Sequence, residues 1–336
     1  MVSLTISVSL LLLLLPFCGL FSVYGTLNGS NNLSDETPSR PKPHSTNMSP
    51  IKKSEYWDKL REAKTGAFWR DCFAELAATF LLVTAQLMLL QNWQTQVPSP
   101  QALAVQVAIG MCFVVGSIGY ALGDFGGAHM NPAVTMAMFI RAEITIVRGV
   151  VYMIIQLAGG LLGAFFVYAI SPTTQLTDSK IGNTFLGTDV LSWQGFLIEM
   201  TITTILCLTV LATGNIARKG YVILPSLPVG MALGLGLFLA ISSTGASMNP
   251  ARSLGPCVVS HVMLDKKECW THHWVYWAGP LAGGLVAAVF YWIFDKVEKP
   301  KSPKPYIANP EYNYNNTSQY INTNKSVYPQ NGYILH

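Results

Sequence analysis

The chain has 336 residues, 51% hydrophobic and only 11% charged. Soluble domains carry about 25% charged residues, so this composition excludes an ordinary soluble globular protein and points to the membrane. The net charge of +4 is modest; no nucleic-acid partner is expected, and the placement of the basic clusters matters more than their sum.

Residues 4–25, LTISVSLLLLLLPFCGLFSVYG, form an apolar run followed by polar residues. The run resembles a signal peptide, but no basic residue precedes it. Three readings stay open: a cleaved signal, an uncleaved anchor that starts outside and adds a seventh span, and translation from Met48. A cleaved signal would leave residue 26 onward outside, against the basic segment 52–70. The expectation is a non-core apolar segment over 1–25 and a polar region over 26–65. The sequons at Asn28, Asn32 and Asn47 carry sugar only if they are luminal.

Six apolar segments follow, at 71–92, 101–121, 148–170, 193–213, 221–243 and 273–294. Each is long enough for a bilayer core, which takes about 20 residues. Two more, 130–140 and 248–259, are too short to cross, and each begins at Asn-Pro. Asn is a good N-cap. Proline suits the first helical turn, where its missing N–H had no partner anyway. Each phrase therefore predicts a short helix starting at membrane depth, tolerated where it is buried in protein or lines a wet cavity.

The two phrases are nearly the same. GAHMNPAV from Gly127 and GASMNPAR from Gly245 agree at six of eight positions. Leu157-Ala158-Gly159-Gly160-Leu161 recurs as Leu281-Ala282-Gly283-Gly284-Leu285, and Glu75 in FAELAATF is matched by Glu199 in FLIEMTIT. The chain reads as two homologous halves of three spans and one half-helix. Three is odd, so the second half is inserted upside down, with the functional site near the midplane. The paired glycines predict close helix packing.

Basic residues agree with that topology. Lys52, Lys53, Lys59, Arg61, Lys64 and Arg70 precede the first span; Arg141 and Arg148 lie between spans two and three; Arg218 and Lys219 lie between four and five; Lys296, Lys299, Lys301 and Lys304 follow the sixth. The connection 93–100 has no charge, and 171–192 has one Lys against two Asp. Both ends of the core are therefore expected in the cytoplasm. Lys266 and Lys267, in the connection 244–272, go against the trend, flanked by Asp265 and Glu268. Residues 296–336, rich in Asn, Tyr, Ser and Pro, are expected to be a disordered cytoplasmic tail. Its sequons at Asn315, Asn316 and Asn324 are expected to stay unused.

The six cysteines (Cys18, Cys72, Cys112, Cys207, Cys257, Cys269) show no paired spacing. Most lie in apolar segments and read as small buried hydrophobes, so neither a disulfide framework nor a metal site is expected. Cys257, inside the second short helix, is a candidate mercury target.

Two half-helices entering from opposite faces meet N-terminus to N-terminus, each carrying roughly half a positive elementary charge. Such a centre repels cations, hydronium included. Asn131 and Asn249 cap the helices and offer amide N–H donors to the lumen. A water bound there turns its hydrogens away, which interrupts a proton wire. The small residues before each phrase (Gly126, Gly127, Ala128 with His129, and Gly245, Ala246, Ser247) can run extended and present backbone carbonyls to a permeant molecule. Glu75 and Glu199 are expected to accept hydrogen bonds from these irregular loops. His129 is read as a vestibule wall rather than a pH sensor.

On these motifs, Asn131-Pro132-Ala133 and Asn249-Pro250-Ala251 with six spans, residues 66–295 resemble the aquaporins, or major intrinsic proteins. The resemblance implies an all-α membrane protein: an inverted repeat of six transmembrane helices plus two half-helices, one pore per subunit, in a homotetramer. It implies passive transport, no enzyme chemistry and no cofactor, in a multi-pass protein of the plasma membrane. It also implies a narrow filter near the outer face. By counting from the motifs, its members are Met111, Leu237, Ala246 and Arg252. Strict water channels of the family carry Phe and His at the first two places, and here both are missing. The resulting ring is apolar with one charged edge from Arg252, which suits a solute with a carbon backbone and hydroxyls on one side. Against this, glycerol channels of the family carry Asp where this chain has Ser253, and Tyr276-Trp277 look like the water-channel pattern. The expected permeants are water, with glycerol, urea or hydrogen peroxide in addition. The alternatives are a glycerol-selective facilitator and a non-conducting adhesion or junction homologue.

Overall fold

In the computed structural model, residues 62–91, 99–172, 181–218 and 224–296 are described. The apolar segment 1–25, nearly all of the polar region 26–65, the tail beyond 296 and every sequon lie outside them. The described residues form eight α-helices: α1 (Gly66–Gln91), α2 (Pro100–Leu122), α3 (Pro132–Ile140), α4 (Ile146–Ile170), α5 (Ser192–Arg218), α6 (Ser226–Thr244), α7 (Pro250–Leu264) and α8 (Val275–Lys296). Short 3-10 helices at Glu62–Lys64 and Glu268–Trp270 precede α1 and α8. Six helices are long and apolar enough to cross a bilayer, and α3 and α7 are the two short ones.

Local chemistry sets the helix starts. Ser99 caps α2 by accepting from Ala102 N at 3.2 Å, with Pro100 in the first turn. Thr145 caps α4 by accepting from Arg148 N at 3.1 Å. A side-chain oxygen at this position satisfies an N–H that the helix itself leaves unpaired. Four limits differ from the hydropathy reading by five residues, one of them the end of α5 at Arg218 rather than 213. α1 begins at Gly66, before the apolar stretch, because helical hydrogen bonding continues past the hydrocarbon boundary. α6 begins only at Ser226, directly after Pro225. A residue preceding a proline is driven out of the helical region, which delays the start. α7 extends to Leu264 rather than 259, even with Pro256 inside it.

The two halves interlock rather than sit side by side. α1 packs on α4 and α2 packs on α6, the latter across the repeat. The doubled LAGGL phrase explains the rest. A Cβ on Gly159 would fall 2.7 Å from the Leu76 carbonyl of α1, and one on Gly283 would fall 2.5 Å from the Met200 carbonyl of α5. The second glycine of each pair faces the half-helix of the other half. A Cβ on Gly160 would lie 2.5 Å from the Ala251 carbonyl, and one on Gly284 would lie 2.6 Å from that of Ala133. Thus α4 clasps α7, and α8 clasps α3.

These contacts predict a graded result. Gly160→Ala pushes a methyl into backbone that cannot swing aside, and overpacking of this kind costs about 1–3 kcal/mol. Gly116 on α2 has nothing within 4 Å of its would-be Cβ, so Gly116→Ala is the near-neutral control. Thermal unfolding in detergent should separate the two; equal midpoints would refute the close approach.

Candidate functional site: two half-helices meeting end to end

The start of each short helix is built by its asparagine. Asn131 and Asn249 are extended, and each Oδ1 accepts from a first-turn N–H: Ala133 N at 2.8 Å and Ala251 N at 3.0 Å. With the oxygen turned to its own helix, the amide nitrogen faces the other half. Asn131 Nδ2 donates to the Met248 carbonyl and Asn249 Nδ2 donates to the Met130 carbonyl, both at 2.8 Å. This reciprocal pair brings the two N-termini together from positions 118 residues apart (131 and 249). One N–H of each amide is thereby committed to protein, which leaves one for another partner.

The loops feeding these helices are strained in matching places. Gly126 and Gly127 have φ of +89° and +97°, and Gly245 has +79°. Ala128 and Met130 in one loop, and Ala246 and Met248 in the other, also have positive φ, between 45° and 56°. Non-glycine residues occupy that region only when their surroundings force them to. Here a buried carboxylate does so in each half. Glu75 accepts from His129 N at 2.6 Å, Met130 N at 2.9 Å and Gln156 Nε2 at 2.8 Å. Glu199 accepts from Ser247 N and Met248 N, each at 2.8 Å, and from Thr244 Oγ1 at 2.7 Å. Both glutamates have no exposed surface. An ionised carboxylate takes several N–H donors at once, and such charge-assisted bonds are the strong ones.

A second matched pair ties each loop to its helix. His129 Nδ1 lies 3.1 Å from Thr135 Oγ1, and Ser247 Oγ lies 2.6 Å from Ser253 Oγ. Thr135 also accepts from Gln156 Nε2 at 2.8 Å, so the His129 ring belongs to a buried polar network reaching Glu75.

Of the remaining sequence candidates, three lie in one large apolar cluster and the fourth is buried against a loop carbonyl. Met111 on α2, Leu237 on α6 and Ala246 have no exposed surface and pack in one cluster with Met248. Arg252, 1% exposed, donates from Nη1 to the Gly182 carbonyl at 2.8 Å. Sequence reasoning missed the segment that supplies this acceptor. Residues 182–184 are fastened along α7: Asn183 Nδ2 donates to Ser260 Oγ at 2.7 Å, and Thr184 Oγ1 donates to Ser253 Oγ at 2.9 Å. Nothing in that polar stretch announces which helix it meets.

The cysteine reading needs correction. Cys257 and Cys269 form a disulfide, with Cα atoms 5.6 Å apart. The bond pins the turn before α8 onto α7, and it removes Cys257 as a free thiol and so as a mercury target. Cys72, Cys112 and Cys207 are free. The overlooked signal was that Cys269 lies in the polar connection 244–272, outside every apolar segment.

Comparison with known proteins agrees with this geometry. The family model described as major intrinsic protein matches residues 62–291. Among curated relatives, aquaporin-5 of Ovis aries is 33% identical over 231 residues, covering 69% of this chain and 83% of the relative. Aquaporin-2 of Bos taurus is 35% identical over 230 residues, covering 68% of this chain and 80% of the relative. Among solved structures, the aquaglyceroporin from Plasmodium falciparum superposes with a TM-score of 0.59 at 24% identity, covering 68% of this chain and 96% of that one; at this identity it speaks for the fold. With six spanning helices, two half-helices and a sequence match across the whole helical core, the chain belongs to the major intrinsic protein family, the aquaporins.

Proposed function

We propose that this protein is a passive membrane channel that conducts water, admits glycerol or another small neutral solute, and excludes protons and other ions. It carries out no chemical reaction and needs no cofactor. The observation that carries the reading is the reciprocal pair of asparagine bonds, which holds two half-helix N-termini face to face. Their dipole ends put positive potential at one point. The remaining amide N–H of each asparagine orients a passing water by its oxygen, which breaks a hydrogen-bonded proton path. The carbonyls of the loops at 126–129 and 245–247 serve as the acceptors on either side.

Met111, Leu237, Ala246 and Arg252 form the filter in this proposal. Three apolar members and one fixed cation make a ring that lacks a histidine donor and an aromatic wall. Such a ring leaves room for a hydrogen-bearing carbon face, which favours glycerol as a second permeant. The Cys257–Cys269 bond supports the orientation. Disulfides persist on the oxidising side of a membrane, so the α7–α8 connection faces outward despite Lys266 and Lys267, and the core termini face the cytoplasm. A homotetramer in the plasma membrane is the proposed assembly.

Stopped-flow light scattering on proteoliposomes tests the reading. Osmotic water permeability should exceed that of bare lipid with a low activation energy, and a glycerol gradient should relax faster than through lipid alone. Permeability equal to bare lipid for both solutes would refute a channel and favour a non-conducting junction homologue. Glycerol flux without water flux would point to a dedicated glycerol facilitator.

A further inference from the structure

The inverted repeat pairs residues by offset. Positions in the spanning helices recur 124 residues on (Glu75 and Glu199, Leu157 and Leu281), and positions in the half-helix phrases recur 118 on (Asn131 and Asn249). Tyr152 and Tyr276 are mates by the first offset, and Gly126 and Thr244 are mates by the second. The structure joins these two pairs in the same way. Tyr152 hydroxyl donates to the Gly126 carbonyl at 3.3 Å, and Tyr276 hydroxyl donates to the Thr244 carbonyl at 3.0 Å. The accepting residues differ, so the contact is kept at the backbone level while the side chain is free to change. Both tyrosines are buried, at 0% and 1% exposure.

We propose that Tyr152 and Tyr276 are matched positioning residues, each bracing the backbone that leads into its pore loop and so fixing the line of carbonyls that a permeant follows. The proposal rests on the channel reading above.

The two braces are fastened by different chemistry. On the inner side, Arg148 Nη1 donates to the Tyr152 phenol oxygen at 2.7 Å and to Asp71 Oδ2 at 2.8 Å. Its Nε and Nη2 each reach Glu62 Oε2 at 3.4 Å, and Thr145 hydroxyl bonds the other Glu62 oxygen. Because the phenol oxygen accepts from a cation, its own O–H is polarised and aimed at the Gly126 carbonyl. Arg148 also stacks on the Tyr152 ring, with its guanidinium carbon 5.4 Å from the centroid. A cation in the first turn of α4 opposes the helix dipole, so the position is held by the two carboxylates. Gly126 fits this brace closely, since a Cβ there would lie 2.5 Å from the phenol oxygen. On the outer side, Tyr276 meets the edge of His273 with centroids 6.1 Å apart, and His273 meets Trp270 at 4.8 Å. Trp270 follows Cys269, which the disulfide holds to α7. An ionic cluster thus secures the inner brace, and a covalent bond secures the outer one.

The experiment uses full-length protein in proteoliposomes with Tyr152→Phe, Tyr276→Phe and Arg148→Lys. The phenylalanine variants keep the ring packing and remove only the hydroxyl. Water permeability per channel is read over a temperature range, alongside the water-to-glycerol ratio. Neither the activation energy nor the ratio depends on how much protein folds. Loss of one hydrogen bond at the loop is expected to lower permeability per channel about three- to tenfold and to raise its activation energy. Arg148→Lys, which keeps the charge but not the fork, should fall between wild type and Tyr152→Phe. Phenylalanine variants with wild-type activation energy and solute ratio, whether or not folded yield drops, overturn the proposal. Wild-type vesicles no more permeable than lipid would overturn the channel reading beneath it, a result distinct from conducting variants that are unchanged.

Discussion

Arg252→Val is expected to raise proton flux through the reconstituted channel roughly a hundredfold. The guanidinium is a fixed cation held by the Gly182 carbonyl and almost wholly buried. A unit charge about 6 Å from the path, at an effective dielectric of about 20, opposes a second cation by about 3 kcal/mol. Each 1.4 kcal/mol or so is a factor of ten in rate, which gives the hundredfold figure. In the proposed channel the asparagine pair still stands behind the filter, so the leak should remain far below that of an open aqueous hole. Water flux should change much less, because a neutral molecule does not feel the removed charge to first order. Glycerol flux should rise as the ring widens. A pH-sensitive dye inside proteoliposomes, read after an external pH jump, checks the result. Proton flux within about threefold of wild type would remove Arg252 from the barrier.

The second large effect concerns folding. Glu199→Ala should abolish stable protein or lower its unfolding midpoint by 10 °C or so. The carboxylate accepts from Ser247 N, Met248 N and Thr244 Oγ1 in a site with no exposed surface. Each buried donor left without a partner costs about 1–3 kcal/mol, and the sum approaches the total stability of a typical domain, about 5–15 kcal/mol. The loop it holds also carries two non-glycine residues at positive φ, Ala246 and Met248, so the intrinsic backbone preference works against that conformation. Glu199→Gln should be milder, because the amide oxygen still accepts, while its NH2 opposes the remaining donors. Folded yield and thermal unfolding in detergent measure both variants. A Glu199→Ala protein melting within about 2 °C of wild type would show that the loop is held by other means. Glu75→Ala should behave alike, since His129 N and Met130 N stand where Ser247 N and Met248 N do in the other half, and Gln156 Nε2 supplies a third donor.

Much of the architecture is legible in the sequence. The two Asn-Pro starts predicted short helices at 130–140 and 248–259, and helices stand at Pro132–Ile140 and Pro250–Leu264. Capping is a local matter, so it can be read from a few neighbouring residues. The last five residues of α7 were missed because hydropathy reports contact with hydrocarbon, while helix formation depends on backbone bonding, which continues beyond it. The late start of α6 at Ser226 could have been read from Pro225, and the apolar run masked it. The LAGGL pair announced close packing, but each glycine's partner emerged only from the fold.

The sequence by itself determined the two inverted halves, six spans and two half-helices, because repetition, apolar length and capping are properties of contiguous residues. It also singled out Glu75 and Glu199, since a carboxylate inside an apolar helix must find donors. Tertiary structure decided what depends on residues distant in the chain. It committed one N–H of each asparagine to the opposite loop, joined Cys257 to Cys269, laid residues 182–184 along α7, and set Tyr152 and Tyr276 on matching carbonyls. Hydrogen bonds and disulfides require atoms within a few ångströms of each other, and for these pairs only the packing of the helices decides that distance.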